Sequence, residues 1–152
     1  MTPSSPDSVG VERSLVLVKP DGVSRNLCGE VLRRIEAKGY RPVAVELRLA
    51  ARPDLEAHYA EHEGKPFYDP LLEFMSSGPV LATVIEGHRC IEGFRSLAGA
   101  TDPTSAAPGT IRGDLGRDWG LPVQANLVHG SDSAESAVRE IAIWFPSLAG
   151  SS

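Results

Sequence analysis

The 152-residue chain has no long apolar run, no basic excess and only two cysteines. Each absence excludes a class of protein. No stretch approaches the roughly 20 apolar residues of a membrane-crossing helix, so no membrane partner is expected. The opening residues MTPSSPDSVG have neither a basic start nor an apolar centre, so they do not read as a secretory signal. Fifteen basic residues against twenty acidic ones leave a net charge of −5. Without a cationic surplus to release counterions, general nucleic-acid binding is not expected. Cys28 and Cys90 lie far apart and read as free thiols of a cytoplasmic protein. Neither G-x-x-x-x-G-K-[ST] nor G-x-G-x-x-G occurs, and the protein-kinase signature set is missing. A P-loop, a dinucleotide fingerprint and a protein-kinase fold are excluded.

What is present describes one globular domain. Hydrophobic residues make up 41% and charged residues 23%. Fifteen glycines and twelve prolines exceed the usual share of about 12%, which calls for unusually structured loops. The expected layout is a disordered tail over 1–11, a domain over 12–146 and a frayed end over 147–152. Ser14–Lys19 (SLVLVK) is apolar on both faces, as in a central strand covered on both sides. Pro20 and Gly22 end it. A helix over 26–38 places Cys28, Val31, Leu32 and Ile35 at helical spacing, and Gly39 stops it. Alternation over 40–49 puts Val43, Val45, Leu47 and Leu49 on one face of a second strand.

Short helices are expected over 53–63 and 70–76, a strand over 80–86, and a helix over 89–97. A long Pro- and Gly-rich loop then spans 99–122, a length that usually signals function. A fourth strand over 126–129 precedes a helix over 132–145. Asp132 and Glu135 read as its capping box, and Ala134, Ala137, Val138, Ile141 and Phe145 as its buried face. Without its minor helices the order is βαββαβ plus a terminal helix. That is an α+β, ferredoxin-like fold with a four-stranded antiparallel sheet covered by helices.

Three segments carry candidate chemistry. His129 lies where a short strand meets a helix start, a junction that favours anions. A neutral imidazole nitrogen is a nucleophile when an acceptor holds the other nitrogen, and Glu140 on the next helix is the candidate holder. Lys19 ends a central strand, locked in place by Pro20 and Gly22. Arg112 sits in a constrained loop, with Arg95 and Thr101 upstream. Together these supply cations and a hydroxyl for a polyphosphate. His58 and His62 stand one turn apart but lack a third ligand and read as a solvated helix face.

The segments VKPDG (18–22), HY (58–59), KPFY (65–68), SGP (77–79), PGTIRGD (108–114) and NLVHGSDS (126–133) resemble those of the nucleoside diphosphate kinase family. The resemblance runs from Glu12 to Phe145. It implies transfer of the γ-phosphoryl group of a nucleoside triphosphate, typically ATP, to a nucleoside diphosphate through a phosphohistidine, which maintains NTP and dNTP pools. On that resemblance His129 is the nucleophile, acting through Nδ1. Glu140 orients it, Ser131 steadies Glu140, and Tyr59 lines its pocket. Lys19 binds the sugar hydroxyl and the transferring phosphate. Arg95, Thr101 and Arg112 grip the phosphates, and Asn126 bonds the ribose. Phe67 stacks on the base with Val123 opposite. Mg²⁺ bridges the phosphates and is held mainly by them, without dedicated protein ligands. A homo-oligomer, tetramer or hexamer, is implied.

This chain departs from many members between Asp114 and Val123, where LGRDWGLP is longer. The added stretch reads either as a surface or subunit-contact elaboration or, through Trp119 or Arg117, as an edge of the nucleotide pocket. A catalytically idle relative on the same fold is the competing reading. It would have lost the nucleophile or a phosphate ligand, whereas this chain keeps them all.

Overall fold

The computed structural model describes residues 10–148. Its four strands are β1 (Val11–Val18), β2 (Arg41–Arg48), β3 (Val80–His88) and β4 (Val128–Gly130). They form one sheet in the order β2-β3-β1-β4, antiparallel throughout. β1 pairs with β3 along its whole length, from Val11 opposite His88 to Val18 opposite Leu81. Around the sheet lie α1 (Pro20–Ser24), α2 (Cys28–Lys38), α3 (Arg52–His58), α4 (Tyr68–Met75), α5 (Cys90–Ala98), α6 (Ile111–Leu115) and α7 (Ala134–Trp144). This is the expected ferredoxin-like α+β architecture.

Strand alternation explains why β1 is apolar on both faces from Leu15 to Val18, since successive side chains point to opposite faces. Leu15 and Leu17 join Leu55, Met75, Ile141 and Trp144 under α3, α4 and α7. Val16 and Val18 join Val31, Ile35, Phe94 and Leu127 under α2 and α5. Both layers are tight: Phe94 and Trp144 are fully buried. Truncating either to Ala would cost about 3–5 kcal/mol. β2 sits at the sheet edge, where Val45 and Leu47 are 49 and 59% exposed, and Leu49 just beyond its end is 68% exposed.

Several boundaries differ from the sequence reading for local reasons. The chain does not merely stop after β1. It enters α1 at once, with Pro20 in the first turn, where its missing N–H costs nothing. Asn26 has φ +60°, left-handed, so α2 starts at Cys28. Gly39 ends α2 at φ +104°, as expected. The 99–122 loop contains α6, capped by Thr110 Oγ1, which accepts from the Gly113 N–H at 3.0 Å. In α7 the cap is Ser133, whose Oγ accepts from the Ser136 N–H at 3.0 Å, not the Asp132/Glu135 box. The buried face of α7 is Ala137, Glu140, Ile141 and Trp144, while Val138 points to water.

The expected tail and frayed end fall mostly outside the described residues. Of them, Val11 opens β1, and Ser147 and Leu148 continue a 3-10 turn from Pro146. Cys28 and Cys90 are free thiols, the latter buried.

Candidate active site

The antiparallel register sets the site. Leu17 on β1 pairs with His129 on β4, so the C-terminal end of β1 and the body of β4 lie side by side. Lys19 leaves β1 there, and its N–H donates to the Leu127 carbonyl at 2.8 Å. Its ammonium donates to Asn126 Oδ1, also at 2.8 Å. Asn126 Nδ2 donates in turn to the Thr101 carbonyl at 3.0 Å. Thus the strand end, the long loop and the β4 approach are tied at one point.

Arg112, on α6, fastens the same region. Its Nε, Nη1 and Nη2 donate to the carbonyls of Asn126, Gly99 and Val128 at 3.1, 3.0 and 2.6 Å. A guanidinium has five N–H groups, so two remain for a ligand. Two glycines of this loop are steric necessities: a Cβ on Gly113 would collide with the Ala107 carbonyl, and one on Gly99 with Thr110. Burial holds the Arg112 pKa down to about 10, helped by repulsion from Arg95. Burial lowers Lys19 further, to about 8, with Arg112 adding and Asp21 opposing. Two cations crowded in a partly dry cleft are electrostatically unsatisfied, which favours an anion between them.

His129 is held from α7. Its Nε2 lies 2.8 Å from Glu140 Oε1, and Ser131 Oγ donates to the same oxygen at 2.8 Å. Ser131 Oγ itself accepts from the Leu15 N–H at 3.1 Å, so the central strand anchors the relay. With Nε2 facing a carboxylate, Nε2 carries the proton and Nδ1 keeps its lone pair. Gly130 must be small, since a Cβ would strike the Phe94 ring.

Lys19, Tyr59, Arg95, Thr101, Arg112, Asn126, His129 and Glu140 all line one cleft of about 330 Å³. That lies within the usual range for small-molecule sites, roughly 300–1,000 Å³. Tyr59 is buried, and burial together with Glu140 pushes its phenol pKa up, so it stays a neutral O–H. Ser131 stands behind Glu140. Phe67 and Val123 do not line the cleft: Phe67 is half-exposed on the approach to α4, with its ring 5.1 Å from that of His62. Trp119 is also outside. It lies between Arg117 and Arg25, whose guanidinium carbons sit 4.5 and 5.7 Å from its ring centre.

Residues 12–149 match the family profile of nucleoside diphosphate kinase. The chain belongs to the nucleoside diphosphate kinase family. Among its curated relatives, the nucleoside diphosphate kinase of Saccharopolyspora erythraea is 64% identical over 138 residues, covering 90% of this chain and 98% of that one. That of Thermobifida fusca is 61% identical over 139 residues, covering 91% and 100%. Among solved structures, a halophilic nucleoside diphosphate kinase from Halobacterium salinarum in complex with CDP superposes with a TM-score of 0.82. It is 48% identical, over 88% of this chain and 87% of that one. The protein is therefore a nucleotide phosphotransferase, with nucleoside phosphates as substrates.

For a nucleoside diphosphate kinase site, sequence reasoning missed two residues. Asp21, in the VKPDG segment, accepts from the Leu127 N–H through Oδ2 at 3.0 Å. The second is His58. It is not on a solvated face: it is 3% exposed, and its Nδ1 accepts from the Trp144 indole N–H at 3.0 Å. The one available signal was its place beside Tyr59 in the HY segment.

Proposed function

We propose that the chain transfers the γ-phosphoryl group by a ping-pong route through His129. The Nδ1 lone pair attacks the γ-phosphorus, and a P–N bond forms. The bond from that phosphorus to the bridging oxygen breaks, and its electron pair leaves with the diphosphate. The proton on Nε2 stays, and the Glu140 carboxylate balances the positive charge that the ring acquires. A second diphosphate reverses the step. Phosphoryl transfer depends on positioning and charge stabilisation, and the cleft offers both. The observation that carries this reading is the Ser131–Glu140–His129 relay, aimed into a cleft that holds Lys19, Arg95 and Arg112.

In this reading Lys19 and Asn126 take the sugar hydroxyls and the transferring phosphate, and Arg95, Thr101 and Arg112 take the remaining phosphates. Tyr59 walls the pocket at His129. Phe67 and Val123 clamp the base from outside the cleft, a π-face contact indifferent to base identity. Mg²⁺ comes with the nucleotide. The donor set supports this, because the cleft is cationic and Glu140 Oε1 is already taken by His129 and Ser131. A hard cation that keeps its waters is then held by phosphate oxygens.

The chain works as a homo-oligomer, a tetramer or hexamer. The edge strand β2, whose outer side pairs with no other strand among the described residues, with exposed Val45 and Leu47 and Leu49 just beyond it, supports association with further copies. A cytoplasmic location suits its free thiols. Among the described residues no helix is long and apolar enough to cross a membrane.

The test is labelling with γ-labelled ATP followed by denaturation. Acid-labile, base-stable label on His129 that chases onto added diphosphate is expected. Label retained in His129→Ala, or none in the parent, overturns the reading.

A further inference from the structure

We propose that His58 is a neutral hydrogen-bond donor to the phosphoryl group at His129, with its tautomer set by Trp144. This rests on the His129 reading above.

The tautomer follows from geometry. An indole nitrogen can only donate. Trp144 Nε1 donates to His58 Nδ1 at 3.0 Å, so that nitrogen carries the lone pair and the ring proton sits on Nε2. Trp144 is fully buried on α7, which fixes the donor in place. A second proton on Nδ1 would set N–H against N–H. Burial, with repulsion from His129, Arg139, Lys19 and His62, also keeps the ring neutral.

The position follows from packing. The His58 and His129 rings meet edge to face, with centroids 4.7 Å apart at 72°. A ring nitrogen of each and a Glu140 oxygen lie within 4.8 Å of one another. His58 lines the cleft, and among the described residues the hydrogen bond of its ring is the one that Nδ1 accepts from Trp144, which leaves Nε2–H for the cleft. The Nε2–H thus stands in the cleft wall, on a ring packed edge to face against that of His129, beside the group on which the phosphoryl would be formed. A neutral donor binds phosphate oxygen without adding a further positive charge in contact with the His129 ring. The same three residues are poorly disposed for a metal ion. Trp144 occupies His58 Nδ1, and Ser131 and His129 occupy Glu140 Oε1.

The test uses ¹⁵N-imidazole NMR of the full chain. His58 should show the Nε2–H tautomer, and its Nε2–H signal should shift when ATP phosphorylates His129. The Nδ1–H tautomer, or an Nε2–H signal that stays put on phosphorylation, overturns the proposal. Rapid-quench phosphorylation then compares His58→Phe with His58→Gln. Loss of one fixed donor should slow His129 labelling on the order of 10²-fold in His58→Phe. His58→Gln, which keeps a side-chain N–H, should recover part of that rate. Labelling of His58→Phe at the parent rate overturns the proposal while leaving the His129 reading intact. A parent that never labels on His129 overturns the reading itself. The NMR arm needs only the parent protein, so it holds even if a variant fails to fold.

Discussion

Asp21 and Leu127 stand 106 residues apart, and the carboxylate of one holds the backbone of the other in a left-handed conformation. Leu127 has φ +75°, an outlier for a buried leucine. Such strain persists only where neighbours over-determine it. Here Asp21 Oδ2 accepts from the Leu127 N–H at 3.0 Å, and the Leu127 carbonyl accepts from the Lys19 N–H at 2.8 Å. The turn so held swings Asn126 toward Lys19 on one side and sends Val128 into β4 on the other.

Asp21→Ala should leave that N–H buried and unpaired, at a cost of about 1–3 kcal/mol. The KM for nucleotide should rise more than kcat falls, because Asn126 and Lys19 lose their register while His129 keeps its relay. Asp21→Asn retains an acceptor and removes a carboxyl whose pKa burial has raised, so it should lie close to the parent. Urea unfolding and steady-state kinetics measure both. An unchanged midpoint in Asp21→Ala would refute the clamp.

Lys19 gives the site a pH signature. Its folded pKa is about 8 against an ordinary 10.5. Between those values the unfolded chain binds the proton that the folded chain has lost. This group therefore makes stability rise with pH across that window, and its burial penalty is fully felt below about 8. Ligand binding should run the other way. Affinity for a nucleoside diphosphate should fall as pH passes about 8 and the ammonium is lost. Lys19→Gln should bind more weakly and with no such slope, as calorimetric titration across the window would reveal.

The relay behind His129 should be graded. Glu140→Gln removes the charge that balances the ring and should slow His129 phosphorylation on the order of 10²-fold. Ser131→Ala removes one hydrogen bond to Glu140, worth about 1 kcal/mol, so a slowing of several-fold is expected. It also strips the Leu15 N–H of its acceptor, so stability should fall as well. Equal rates for both variants in a quench-flow experiment would contradict this ordering.

Trp119 should matter for stability and not for the nucleotide. It is 48% exposed, flanked by Arg25 and Arg117, and outside the cleft. Trp119→Ala should leave the KM for diphosphate unchanged while lowering stability by about 0.5–1 kcal/mol per lost cation–π contact. A several-fold rise in KM would return Trp119 to the pocket edge.

Much of the fold was legible because the relevant patterns are local. The unbroken SLVLVK run announces a strand with two covered faces, and Gly39 marks the end of α2. Errors arose where a distant contact overrode the pattern. Val138 looked like part of the α7 core, but the sheet meets that helix along Ala137, Glu140, Ile141 and Trp144. Glu140 also lies in that stripe, and His129 and Ser131 satisfy its buried carboxylate.

By itself, the sequence determined the strand order and the longer helices and singled out the cations and the histidine that the cleft brings together, because spacing and residue type act over a few positions. The tertiary structure alone decided what those residues do to one another. His58 reads as a surface histidine along the chain, yet Trp144, 86 residues away, buries it, sets its tautomer and turns it toward His129. Hydrogen-bond direction depends on which groups meet in space, and burial makes that choice binding, because a buried polar atom without its partner costs about as much as the contact that placed it.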